Sequence, residues 1–198
     1  MIICDAYKFI FLGSQKTGTT SIRSALYNIS QNYIRKIGFG PHIPAVLLRE
    51  EAGQEKWNKY FKFAFVRNPW DREVSYFCFK KPNNSKKYIK NKNESFLKFV
   101  NTYVDSACWK FVCDNNYNQI VDFVGRFENL QNDFDKVCDV IKISRRKLPL
   151  KLQTRKNNIH YSAFYKNLDG NLNEELIEAV RNKWVKDIEL FNYKFEGK

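Results

Sequence analysis

The sequence predicts one α/β domain over residues 1–198, a mostly parallel sheet flanked by helices on both faces. Three observations predict it. Strand-length apolar and aromatic stretches alternate with segments of helical periodicity. A strand runs directly into a helix at two places. The 198 residues are also enough to bury roughly 70% of the unfolded surface in a single core.

The first strand is read at Tyr7–Leu12, where β-branched and aromatic residues run into a Gly/Ser/Thr loop. The helix that follows starts at Ser21 in SIRSALYNISQNYI. After the loop IGFGPH, residues 43–51 are helical in pattern, Trp57–Tyr60 suits one helical turn, and Lys62–Val66 is the second strand. Pro69 has a backbone angle that fits a first helical turn, so 69–79 is predicted as a helix burying Trp70, Val74 and Phe77. The Lys/Asn-rich segment 80–93 reads as a mobile basic loop, followed by a helix over 95–105. A third strand is expected at 119–127 and a helix at 129–141, before a basic stretch of no clear type through Tyr165. Leu176, Val180, Trp184, Ile188 and Phe191 recur at helical spacing and define a last helix over 173–191, with this stripe in the core.

The net charge of +13 is concentrated. Lys80–Lys92 holds six lysines and Lys142–Lys156 seven basic residues, neither with an acid, while the rest of the chain balances. Such patches imply an anionic partner or two solvated basic loops. The five cysteines, Cys4, Cys78, Cys108, Cys113 and Cys138, are odd in number and contain no CxxC pair, so they read as reduced thiols. Cys108 and Cys113 alone make poor zinc ligands. The amino terminus lacks a basic segment followed by a long apolar run, and every apolar stretch is strand-sized, which predicts a cytoplasmic chain without signal peptide or membrane span.

The loop after the first strand, Gly13-Ser14-Gln15-Lys16-Thr17-Gly18-Thr19-Thr20-Ser21, carries the chemistry. Its glycines permit angles that side chains forbid, and successive amides at a helix amino terminus form a nest for an anion. The domain is therefore P-loop-like. Its lysine is displaced, however: GxxxxGK[ST] places lysine directly after the second glycine, where this chain has Thr19. Lys16 would approach the anion from the leading side, with hydroxyls from Thr17, Thr19, Thr20 and Ser21. A sulfuryl group carries less charge than a terminal phosphoryl, so one ammonium plus amides suffices and no metal is implied.

GSQKTGTTS resembles the 5′-phosphosulfate loop of sulfotransferases, and Phe65–Phe77 (FVRNPWDREVSYF) resembles their 3′-phosphate motif. Gly125–Leu130 (GRFENL), the His160-Tyr161 pair with Tyr165, and Asp187–Phe191 are similar to the carbohydrate (Golgi-type and bacterial) branch. The resemblance implies 3′-phosphoadenosine 5′-phosphosulfate (PAPS) as donor, the bisphosphate PAP as product, no metal, and a hydroxyl acceptor on a glycan, one that the basic segment 80–93 suits if the glycan is acidic. It implies that Ser14, Gln15, Lys16, Thr17, Gly18, Thr19, Thr20 and Ser21 line the 5′ side, with Lys16 catalytic, and that Arg67 and Ser75 hold the 3′-phosphate. Arg67 supplies a planar fork for bidentate contact. Arg155 and Lys156 fall where related enzymes close a loop over the nucleotide. Glu128 suits bracing of its loop as well as substrate contact.

An acceptor hydroxyl must lose a proton, and only two histidines exist, His42 and His160. His42, in Gly-Pro-His-Ile-Pro, resembles a histidine-bearing substrate loop of the carbohydrate branch and is the candidate base; its alternative is a cap on the helix after Pro44. His160 is the rival, expected to be structural or nucleotide-facing. Two other classes compete: a P-loop kinase or nucleotide triphosphatase, opposed by Thr19, and a basic nucleic-acid-binding module, supported only by charge.

Overall fold

The phenylalanine-rich segments pair into one four-stranded sheet of β1 (Ile2–Cys4), β2 (Phe9–Leu12), β3 (Phe61–Val66) and β4 (Phe123–Arg126), in that spatial order. A computed structural model describes residues 1–27, 29, 42–80, 92–149 and 159–197. The helices are α1 (Thr19–Leu26), α2 (Ala45–Ala52), α3 (Gln54–Lys59), α4 (Pro69–Lys80), α5 (Lys92–Thr102), α6 (Leu130–Val140), α7 (Glu174–Lys183) and α8 (Val185–Phe191). Single 3-10 turns occur at Cys108–Phe111, Phe127–Asn129 and Tyr161–Tyr165. The chain divides into two compact units, Met1–Arg67 with Ser106–Leu152 and Asn68–Asp105 with Gln153–Lys198.

The first unit holds the sheet. β2, β3 and β4 are parallel, with Phe11 beside Phe63 and Phe63 beside Phe123, as the strand–helix alternation predicts. β1 was not foreseen: it pairs antiparallel with β2, Ile3 beside Ile10, and is only three residues long. Side chains alternate across a strand, so Phe9, Phe11, Phe63 and Phe65 share one face. That face packs with Ile22 and Leu26 of α1 and with Phe134, Val137 and Cys138 of α6. Ile10, Leu12, Ala64 and Val66 point the other way and are equally buried. Both faces are covered, as expected for parallel strands. Each buried phenylalanine contributes about 1.5–3 kcal/mol.

The expected strand at 119–127 shortens at its start. Ile120 N–H donates to the Val112 carbonyl at 2.9 Å, and Gln119 bridges to Cys113, so the chain joins β3 only from Phe123. Gly125 is required there, because a Cβ would run into the Phe65 ring of the neighbouring strand.

The second unit is helical and rich in aromatic rings. Phe77 of α4 lies against Phe96 and Phe99 of α5, with centroids 4.9 and 5.2 Å apart. Tyr165 is fully buried and donates its hydroxyl to the Trp70 carbonyl at 3.0 Å. Charge is buried here too. Glu73 accepts from Trp184 Nε1 at 2.7 Å and pairs with Lys183 at 3.0 Å, and the Arg72 guanidinium lies 4.3 Å over the Trp184 ring, beside Asp187. Burial raises the Glu73 carboxyl pKa, against the pull of Lys183 and Arg72. The stripe expected as one helix over 173–191 is two, since Trp184 leaves helical geometry at φ −119°, ψ 27°. The Lys/Asn-rich loop lies outside the described residues except for Lys80 and the start of α5.

Candidate active site

The first unit's site begins where β2 ends. Gly13 to Gly18 forms a short loop in which Lys16 and Gly18 both have positive φ, 60° and 80°. Such a conformation is ordinary for glycine but sparsely populated for lysine. A Cβ at Gly18 would also sit 2.7 Å from Leu130 Cδ2. Gly18 is the residue before α1, and no side chain caps that helix. The amino end of α1 therefore turns main-chain N–H groups and the positive end of its dipole toward the loop, the arrangement that binds anions.

The loop's hydroxyls act inward. Ser14 Oγ reaches across to the Phe65 carbonyl of β3 at 2.9 Å, tying the loop to the neighbouring strand. Thr17 Oγ1 and Thr19 Oγ1 both donate to the Ser14 carbonyl, at 3.0 and 2.6 Å. Ser14 and Thr17 are completely buried, and Thr19 and Ser21 nearly so, whereas Thr20 is exposed and Gln15 and Lys16 are half-buried. The hydroxyls of Ser14, Thr17 and Thr19 thus brace the loop from within.

Two side chains from elsewhere take the loop's carbonyls. Arg67, directly after β3 and only 5% exposed, donates from Nη1 to the Lys16 carbonyl at 2.9 Å. Its guanidinium carbon lies over the Phe127 ring, 3.8 Å from the centroid. His42 Nδ1 lies 2.5 Å from the Gly13 carbonyl. A carbonyl only accepts, so Nδ1 carries the proton and Nε2 is the basic nitrogen of the ring. Phe111 meets the imidazole edge-on, and Cys108 Sγ lies 3.7 Å from Ser14 Oγ. The turn at Cys108–Phe111 thus borders both the loop and the histidine. The sequence places His42 on a loop without locating it; the structure brings it to the first residue of the Gly13–Gly18 loop.

Two other candidates, Ser75 and His160, belong to the second unit. Ser75 is buried in α4, within the second unit. His160 caps the turn Tyr161–Tyr165: its Nδ1 is 2.9 Å from Ser162 Oγ, and Nε2 is 3.8 Å from Glu196. Glu128 is exposed in the turn Phe127–Asn129, where Asp133 accepts from Arg126 N–H at 2.9 Å and Asn129 Nδ2 at 3.0 Å. Arg155 and Lys156 fall outside the described residues. Phe127 was given no role from sequence; its position in the GRFENL motif, one turn before α6, is the only signal that marks it. Among the described residues no group of three or more His, Cys, Asp or Glu side chains is placed to hold a metal ion, and no helix is long and apolar enough to cross a membrane.

A family model described as the sulfotransferase family matches residues 1–194, which takes in the loop, Arg67 and His42 together. The chain belongs to the sulfotransferase family. This sulfotransferase is also similar to an "Uncharacterized protein" of Archaeoglobus fulgidus, 36% identical over 119 residues, which are 58% of this chain and 91% of that protein. No solved structure matches it. The α/β architecture, with three parallel strands and helices after β2 and β3, is consistent with the P-loop-like fold of the family.

Proposed function

We propose that this sulfotransferase moves a sulfuryl group from PAPS to an acceptor hydroxyl, with a carbohydrate as the acceptor class. The observation that carries this reading is the Gly13–Gly18 loop: an uncapped helix amino end, two left-handed residues, and Lys16 at its rim. These features fit an anionic sulfate–phosphate anhydride, which as substrate supplies the sulfuryl group. In this reading, the α1 amides and the Lys16 ammonium bind the 5′ side and stabilise the negative charge that develops on the bridging oxygen as the S–O bond breaks. Arg67, buried and planar, binds the 3′-phosphate. His42 Nε2 takes the proton of the attacking hydroxyl, because its Nδ1–H is already committed to the Gly13 carbonyl. The carbohydrate acceptor rests on the resemblance of the His42 segment and of Gly125–Leu130 to that branch.

The test has two stages. PAP should raise the melting temperature without magnesium, by about 2.7 kcal/mol of stabilisation at a hundredfold excess over Kd. Labelled donor should then transfer sulfate to members of a glycan panel. Stabilisation by ATP only with magnesium, and none by PAP, would instead identify a nucleotide kinase or triphosphatase. Steep salt-dependent oligonucleotide binding with no response to PAP would identify a nucleic-acid module.

A further inference from the structure

Lys16 holds a backbone conformation that lysine rarely adopts, φ 60°, two residues before Gly18 at φ 80°. Left-handed residues within a loop turn neighbouring amides to one side, which is how a nest for an anion is made. Such a conformation persists only where its surroundings hold it. The hydrogen bond from Arg67 Nη1 to the Lys16 carbonyl supplies that hold at 2.9 Å. A guanidinium on a long, flexible stem directs a hydrogen bond well only if its plane is fixed. Phe127 can fix it, since the guanidinium carbon lies over its ring, 3.8 Å from the centroid. The ring has its own anchorage: it follows β4, whose Arg126 pairs with Val66 next to Arg67, and it precedes α6, whose first residue Leu130 packs over Gly18.

We propose that Phe127 is a positioning residue: its ring sets the plane of the Arg67 guanidinium and, through Arg67, holds Lys16 in the left-handed conformation that shapes the loop for its anion. Arg67 thereby has two roles, a charge for the donor and a strut for the loop. Phe127 serves the second without touching the reacting atoms. The catalytic meaning of this clamp rests on the proposed donor site, but its mechanics are measurable in the nucleotide-free protein.

The experiment is hydrogen exchange, without nucleotide, over the segment Gly13–Ile22, whose Ile22 amide donates to the Gly18 carbonyl at 3.1 Å. Phe127→Leu should speed exchange there by roughly threefold to tenfold, leaving β2 and β3 unchanged. Phe127→Tyr, which keeps the ring face, should exchange as wild type. Arg67→Lys, which keeps the charge but loses the planar fork, should loosen the segment as much as Phe127→Leu, and the double variant no further. If Phe127→Leu disturbs the whole sheet, Arg67→Lys and Phe127→Tyr still decide. A wild-type rate in Arg67→Lys, or effects that multiply in the double variant, would overturn the clamp. So would a Phe127→Tyr variant as loose as Phe127→Leu. Because no nucleotide is present, failure here is distinct from failure of PAP to bind.

Discussion

The chain passes from strand to helix twice in the same manner, β2 into α1 and β3 into α4, yet the two junctions are finished differently. At the first, the residue before the helix is Gly18, which has no side chain to occupy the helix amino end. At the second, Asn68 fills that place. Its Oδ1 accepts from Trp70 N–H at 3.1 Å and Asp71 N–H at 3.4 Å, its Nδ2 donates to the Lys194 carbonyl, and Pro69 has no N–H to satisfy. One residue before each helix therefore separates an amino end without a side-chain cap from one capped by the protein's own amide. The two strand–helix units share a topology and differ in what meets the first amides of the helix.

The largest effect expected from breaking this contrast is at the first junction. Lys16→Ala should lower turnover by about 10²- to 10³-fold at saturating donor, the usual cost of removing one group that stabilises transition-state charge. Steady-state sulfate transfer measures it, and a wild-type kcat would reduce Lys16 to a tether. His42→Ala comes next. A base must be unprotonated to take the hydroxyl proton, so the variant should lose the acidic limb of the wild-type rate profile together with about 10²-fold of the rate. A variant whose rate profile between roughly pH 5.5 and 8 matches that of wild type would assign the proton to another group. PAP affinity, read by calorimetry, should stay near wild type in the same protein.

The smallest effect belongs to the second junction. Asn68→Ala removes a cap and should cost about 1 kcal/mol in denaturant unfolding, with the turnover of the folded protein near wild type. Loss of turnover comparable to that of Lys16→Ala would erase the difference between the junctions.

Much of this was legible because local chemistry decided it. The glycines of Gly13–Ser21 mark a tight strand-to-helix loop by themselves, and Asn68-Pro69 is a helix start that short-range rules identify. β3 and α4 fall within one residue of expectation for the same reason. What was not legible depends on partners distant in sequence. β1 is three residues whose strand character comes only from pairing with β2. The break at Trp184 lies within unbroken helical periodicity, where the indole, bonded to Glu73, is held by burial that sequence spacing cannot reveal. His42 could be assigned to a loop but not to the Gly13 carbonyl, because 29 residues separate the two and no period connects them. The role of Phe127 likewise exists only once β4 lies beside β3.

The division of the chain also orders events during synthesis. Each unit is made of two stretches that alternate along the sequence, so neither is finished by the stretch that starts it. The sheet waits for β4 to emerge after Ser106. Trp70, Phe77 and Phe96, once made, wait longer, until the segment bearing Tyr165, Val180 and Trp184 leaves the ribosome. At bacterial to eukaryotic elongation rates that interval is on the order of ten seconds. Through it Phe77 and Phe96 can already meet each other, while Trp70 and Phe96 still lack the Tyr165 that each contacts in the finished protein.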